Sequence, residues 1–131
     1  MGNGAERQHR IVFYQKPTCT TCRKVHAMLV ERGVDVDAVD YYVDRIPRAK
    51  LVDLLRKMRL SPRELLRRGE PIYKTLKLGE RELSDDEIVD LMVEHPDLIQ
   101  RPIVEKGEHA VLARPAERLA DILDQGADRE R

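Results

Sequence analysis

The sequence lacks three features that would each point to a class of function. It has no net charge, because 24 Lys and Arg residues balance 24 Asp and Glu residues among 131, so no overall field attracts nucleic acid or an anionic membrane. No run of residues approaches the ~18 apolar positions that a membrane-spanning helix needs. The first ten residues, MGNGAERQHR, contain no apolar segment of the kind found in secretion signals. We therefore expect a cytoplasmic protein without direct contact to membrane or nucleic acid.

Cysteine is also scarce: Cys19 and Cys22, in the stretch KPTCTTCRKV (16–25), are the only two. In a reducing compartment a permanent disulfide is disfavoured. Structural zinc usually takes four Cys or His ligands, and the four histidines of this chain show no paired ligand spacing, so we expect no metal. Two unreactive thiols near a helix start remain an alternative, but the spacing favours a redox-active pair.

The order of apolar patterns predicts an α/β fold. The run 11–14 (IVFY) suits a buried strand, apolar residues at helical spacing follow the first cysteine as far as Gly33, and alternation from 34 to about 41 predicts a second strand. A strand, a helix and a strand in this order imply parallel pairing with a right-handed crossover.

The middle of the chain, at about 47–96, is predicted to be a helical insertion. Leu51, Leu54, Leu55 and Met58 form one apolar stripe, and capping boxes begin at Ser61 and Ser84. A hairpin over 101–113 and a helix opened by Pro115 follow, the helix having Ala116, Leu119, Ile122 and Leu123 on one face.

The complete order is therefore βαβ, a helical insertion, then ββα, which is thioredoxin-like and predicts a mixed four-stranded sheet. We expect one domain over residues 1–131. The polar segments 1–9 and 124–131 have no periodicity, and we expect them to fray.

The position of the two cysteines suggests different roles for them. A thiolate, not a thiol, is the nucleophile, and Cys19 lies at the predicted junction of strand and helix, where free N–H groups and the helix dipole favour a negative charge. Cys22 lies one turn further along, on the same edge of the helix. We therefore predict that Cys19 attacks and that Cys22 resolves the bond formed there.

Arginine is the residue type best suited to hold an oxyanion, because its planar donors are permanently charged. Arg101 and Arg114 each precede a proline, and Arg67 closes a capped helix. In a chain that is 37% charged, each of them taken singly is also explained as an ordinary surface residue.

Four blocks of the sequence, in order, resemble the signatures of the glutaredoxin-like arsenate reductases: PTCTTCRK, LSPRELLRR, LSDDEIVDLMVEHPDLIQRPIV and ARPAERLADIL. The resemblance runs from about Ile11 to Leu123. It implies that Cys19 attacks arsenate to form a covalent adduct, that three arginines bind the oxyanion and that Pro102 is a cis-proline facing the cysteine. The three arginines are Arg67, Arg101 and Arg114.

The resemblance also implies how electrons arrive. No metal, flavin or nicotinamide motif is present, so we expect no bound cofactor and reduction through thiols, supplied either by glutathione with glutaredoxin or by thioredoxin. The sequence does not choose between these two systems. We expect the protein to act as a monomer on arsenate or a similar oxyanion.

Two departures from the family keep other functions open. Many members have His-Asn-Pro before the cysteine, whereas this chain has Gln15-Lys16-Pro17, so that only the charge of Lys16 is available to replace the histidine. The reductases that depend on glutaredoxin usually lack a second cysteine at the position of Cys22. Its presence here resembles the Spx-type regulators, which sense oxidants through two cysteines at this spacing and bind RNA polymerase. Such a regulator, or a thiol oxidoreductase acting on glutathione adducts, is the alternative to the reductase.

Overall fold

The computed structural model describes residues 10–123, which divide into two compact units. The sheet unit consists of residues 10–44 and 101–123, and the helical unit consists of residues 45–100. The helical unit overlaps the insertion predicted at about 47–96, while the single domain over the whole chain stays a prediction. The segments predicted to fray, 1–9 and 124–131, lie outside the described residues.

The sheet unit contains four strands and one long helix. In chain order they are β1 (Ile11–Gln15), α1 (Thr20–Glu31), β2 (Val36–Asp40), β3 (Ile103–Lys106) and β4 (His109–Leu112). The strand order across the sheet is β2-β1-β3-β4. β1 pairs in parallel with β2 and antiparallel with β3, and β3 and β4 form an antiparallel hairpin. This mixed four-stranded sheet confirms the predicted fold class.

One face of the sheet carries the core of the unit. Ile11 and Phe13 alternate along β1 and are fully buried, together with Val25 and Leu29 from one side of α1. Each such side chain contributes about 1.5–3 kcal/mol by leaving water. Gly33, with φ at 69°, lets the chain turn after α1, because a side chain is strained in this conformation.

The C-terminal segment begins differently from the prediction. A single 3₁₀ turn, Ala116–Arg118, precedes residues 119–123, which are helical up to the end of the described residues. The turn is closed by the Arg118 N–H, which donates to the Pro115 carbonyl at 3.0 Å, three residues back instead of four. The four apolar residues predicted for one face are all buried in the core of the sheet unit.

The helical unit contains four helices, two of which begin at a capping box. They are α2 (Arg48–Met58), α3 (Pro62–Leu65), α4 (Pro71–Thr75) and α5 (Asp85–Glu94), with 3₁₀ turns at Leu78–Glu80 and Pro96–Leu98. Both predicted capping boxes are present, at Ser61 and Ser84. No helix among residues 10–123 is long and apolar enough to cross a membrane.

Candidate functional site

Cys19 is the N-cap residue of α1, directly before the first helical residue. Its backbone is extended, with φ −79° and ψ 129°, and its N–H donates to the Lys16 carbonyl at 2.9 Å, which closes the turn between β1 and the helix. The side chain is half-buried. The predicted position of this thiol at a strand-to-helix junction is therefore correct.

Opposing effects set the pKa of Cys19. Partial burial raises it, but hydrogen bonds from the backbone N–H and thiol of Cys22, a hydrogen bond from Arg101 and the charge of Arg101 together lower it more, from the ordinary 9.0 to about 7. The thiol makes no regular helix-capping hydrogen bond, so we ascribe the stabilisation to these combined contributions. At neutral pH roughly half of Cys19 is then thiolate.

Cys22 has the opposite environment. It is fully buried in the core of the sheet unit, and this burial raises its pKa to about 12, helped by the hydrogen bond with Cys19 and the negative charge there. Cys22 is therefore a protonated thiol at neutral pH. Neither cysteine forms a disulfide in this structure. The pKa values of the two thiols shift in opposite directions, and the roles of attacking and resolving thiol stay predictions.

Arg101 is the cation that faces Cys19. It is only 4% exposed, and it lies two residues before β3, joined to Pro102 by a cis peptide bond. Burial alone lowers the pKa of Arg101. Interactions with Tyr41, Tyr42 and Cys19 raise it by more than burial lowers it, so the pKa lies above its ordinary value and the guanidinium is always charged. A buried permanent cation beside a half-buried thiol suits the binding of an anion.

Arg114 lies next to Arg101. Its Nη1 donates to the backbone carbonyl of Arg101 at 3.1 Å, which holds its half-buried side chain at the start of β3. Arg114 follows β4, and β3 and β4 form a hairpin, so the sheet brings the two arginines together. The structure thus groups Cys19, Cys22, Arg101, Pro102 and Arg114 within the sheet unit.

Arg67 belongs to the helical unit. Its backbone N–H donates to the Leu98 carbonyl at 2.7 Å, and its Nε donates to the Glu70 carboxylate at 2.9 Å, with both side chains about one-fifth exposed. These contacts order the guanidinium and partly neutralise it. The assignment of Arg67 to the oxyanion site stays a prediction.

Two tyrosines lie next to the site, and they are not among the site residues identified from the sequence. The Tyr42 hydroxyl accepts a hydrogen bond from Arg101 Nη1 at 3.0 Å, and Tyr41 lies against Tyr42 with ring centroids 5.1 Å apart. A signal was available, because both follow β2, and parallel β1 and β2 end at the same edge of the sheet. An aromatic residue directly after β2 is for this reason expected near the loop that leads from β1 to Cys19.

The ammonium group of Lys16 contacts an aromatic ring, whereas its position in the sequence suggests a role beside Cys19. Its Nζ lies 4.7 Å from the centroid of the Tyr42 ring. The interactions that lower the pKa of Cys19 come from Cys22 and Arg101. Arg101 therefore provides positive charge beside the thiolate.

Acidic, histidine and cysteine side chains are the groups that most often hold metal ions in proteins. Within residues 10–123, no three of them are grouped so as to hold a metal ion. The site itself presents a partly ionised thiol, a buried thiol and two neighbouring arginines.

Comparisons with known proteins show the family to which the chain belongs. A model of the ArsC family matches residues 14–122. Arsenate reductase from Escherichia coli is 37% identical over 113 residues, which cover 86% of this chain and 80% of that protein. Uncharacterized protein YfgD from Escherichia coli strain K12 is 35% identical over 115 residues, which cover 87% of this chain and 97% of YfgD. The structure of arsenate reductase from Vibrio cholerae has a TM-score of 0.82 and 34% identity, over 87% of this chain and 98% of that one.

The different environments of the two thiols generate a prediction about their alkylation. In Cys22→Ser protein, the rate at Cys19 should reach half its maximum near pH 7, because the serine hydroxyl can still donate to the sulfur. In Cys19→Ser protein, Cys22 should react far more slowly at neutral pH, since it stays fully buried and burial, the largest cause of its raised pKa, does not depend on Cys19.

Iodoacetamide labelling followed by mass spectrometry across a pH series measures both rates. Each variant in denaturant provides the control, since both thiols should then titrate near the ordinary 9.0. Faster labelling of the Cys19→Ser protein than of the Cys22→Ser protein at neutral pH would reverse the assignment of the nucleophile.

Proposed function

The chain belongs to the ArsC family, and we propose that it is an arsenate reductase that converts arsenate to arsenite through a covalent adduct on Cys19. The observation that carries this proposal is the pairing of a Cys19 thiol of pKa about 7 with the buried Arg101 guanidinium. A nucleophile that is half ionised at neutral pH and a fixed cation beside it are the two components that attack on an oxyanion requires.

Arsenate is held by arginine side chains. Arg101 and Arg114 support this role by their contact, since the Arg114 guanidinium is anchored to the Arg101 carbonyl and both present donors that match the tetrahedral oxygens of arsenate. Fixed donors stabilise the negative charge that develops on these oxygens during attack. Arg67 is assigned here by family resemblance alone.

The reaction has two steps. The Cys19 thiolate attacks arsenic(V), an arsenate hydroxyl takes a proton and leaves as water, and an S–As bond forms without change of oxidation state. A second thiol then attacks the Cys19 sulfur, so that an S–S bond forms and the S–As electron pair passes to arsenic, which leaves as arsenite. Two thiols lose two electrons, and the enzyme ends as a disulfide.

Cys22 is the resolving thiol when thioredoxin is the reductant. Its hydrogen bond with Cys19 supports this role, while its burial opposes it. Part of the rise in its pKa comes from the Cys19 charge, and this part disappears when Cys19 carries arsenic. If glutathione attacks first, a mixed disulfide forms on Cys19 and glutaredoxin reduces it. No bound cofactor enters either route, and the requirement for reduced thiols places the reaction in the cytoplasm.

Arginine-to-lysine substitutions test the oxyanion site. Arg101→Lys and Arg114→Lys keep the charge but lose the planar pair of donors, so kcat/KM for arsenate should fall about 10- to 100-fold, as expected for a lost hydrogen bond to a charged group. Arg67→Lys should have a similar effect. Steady-state arsenite production measures each.

Arg32→Lys is the matched control, because Arg32 is exposed and lies at the end of α1 opposite to Cys19. Its kinetics should equal those of the wild type, and melting temperatures should show that all variants fold. Wild-type kinetics in both Arg101→Lys and Arg114→Lys would remove arsenate and similar oxyanions from the account.

Cys22→Ser separates the two thiol systems and also the reductase from the regulator. Turnover driven by thioredoxin should be abolished, because no internal thiol can release Cys19, whereas turnover driven by glutathione and glutaredoxin should persist. The measurement is arsenite formation by wild type and variant with each system supplied alone.

A pull-down with RNA polymerase, under oxidised and reduced conditions, completes this experiment. We expect no binding that depends on the disulfide. Polymerase binding only in the oxidised protein, with no arsenite formed by the wild type under either system, would favour the Spx-type regulator. Undiminished turnover of Cys22→Ser with thioredoxin would keep the reductase and remove the role of Cys22.

A further inference from the structure

Tyr42 contacts two cations at the sheet edge where Cys19 lies. Its hydroxyl accepts a hydrogen bond from Arg101 Nη1 at 3.0 Å, and the guanidinium carbon of Arg101 lies 5.8 Å from the centroid of its ring. The Nζ of Lys16 lies 4.7 Å from the same centroid. Both cations are within the range of an attractive interaction with an aromatic ring, about 6 Å.

The topology of the sheet explains why these three residues meet. Lys16 follows β1 and Tyr42 follows β2 closely, while Arg101 comes shortly before β3. β1 is parallel to β2 and antiparallel to β3, so the end of β1, the end of β2 and the start of β3 share one edge. The loop that leads to Cys19 leaves from this edge.

The contacts of Tyr42 are of the kind that orient a charged side chain. An arginine has several rotatable bonds, and its effect on a neighbouring thiolate depends on where the guanidinium is held. A ring face lowers the energy of a cation above it, and a hydroxyl that accepts from Nη1 selects one direction of the planar group. Tyr42 provides both, and Arg101 is the cation that lowers the pKa of Cys19.

We propose that Tyr42 is a positioning residue of this site, which holds the Arg101 guanidinium in the place where it acts on the Cys19 thiolate and on a bound oxyanion. The effect on arsenate rests on the function proposed above. The effect on the thiol does not, because it is measured without any substrate.

Two substitutions separate the hydroxyl from the ring. Tyr42→Phe removes the acceptor for Arg101 Nη1 and keeps the ring, whereas Tyr42→Leu removes both. Tyr42 is half-buried, unlike Tyr41, which is 1% exposed, so both variants should fold. Tyr73→Phe is the matched control, since it removes the same hydroxyl from a half-buried tyrosine of the helical unit.

The first measurement is the pH dependence of Cys19 alkylation in a Cys22→Ser background. The midpoint should rise by several tenths of a pH unit in Tyr42→Phe and more in Tyr42→Leu, because Arg101 is held less firmly beside the thiolate. Tyr73→Phe should leave the midpoint unchanged. A purely structural role would lower the melting temperature of the Tyr42 variants without moving this midpoint, and that result would overturn the proposal.

The second measurement tests whether Tyr42 acts through Arg101. In an Arg101→Lys background, which lacks the guanidinium, Tyr42→Phe should shift the midpoint much less than in the wild-type background, as in a double-mutant cycle. An equal shift in both backgrounds would contradict the proposed route.

Kinetics with arsenate complete the test. Tyr42→Phe should reduce kcat/KM by up to about tenfold, since one hydrogen bond to a charged group is lost. A shifted alkylation midpoint in a protein that does not reduce arsenate supports the positioning role and refutes the reductase. An unshifted midpoint in a protein that does reduce arsenate refutes the positioning role alone.

Discussion

The proposed chemistry depends on the negative charge of the Cys19 thiolate. Because the side chain is partly buried, neighbouring groups must stabilise this charge. Burial alone raises the pKa of this thiol, and only the donors at the start of α1 and the charge of Arg101 reverse the effect. The mixed sheet makes this possible because it brings the loop after β1 and the residue before Pro102 to one edge. The cost of burying Arg101 is offset by its contacts with tyrosines and with the thiol itself.

The same physical cause separates the two cysteines. Burial raises the pKa of each, but Cys19 has a cation and donors that outweigh it, while Cys22 lies fully inside the core, where burial dominates. Three residues of spacing on one helix are enough to produce this contrast, since one turn carries the side chain from the helix start into the apolar face. The pair thus consists of a thiol with a lowered pKa and a buried neighbour with a raised one. In the proposed cycle the neighbour acts only after the Cys19 sulfur has lost its charge.

The elements that the sequence predicts well are those encoded locally. The buried run 11–14, the capping boxes at Ser61 and Ser84 and the position of Cys19 at a helix start all depend on neighbours in the chain. The residues around Arg101 were harder to predict, because Tyr42 is 59 residues away from it and their contact depends on strand order and rotamers. Lys16 is a second example: the sequence shows a positive charge near Cys19, but not that this charge lies over the ring of Tyr42. The start of the last helix differs because its first hydrogen bond runs from the Arg118 N–H to the Pro115 carbonyl, three residues back.

The most direct test of the central claim is an ultraviolet titration of the thiolate in Cys22→Ser protein, with and without the additional change Arg101→Gln. Thiolate absorbance reports the charge on Cys19 itself, without a labelling reagent or substrate. We predict a transition near pH 7 when Arg101 is present, and a clear move towards the ordinary 9.0 when it is absent. The same transition in both proteins, or a transition near 9.0 in the protein that retains Arg101, would contradict the account.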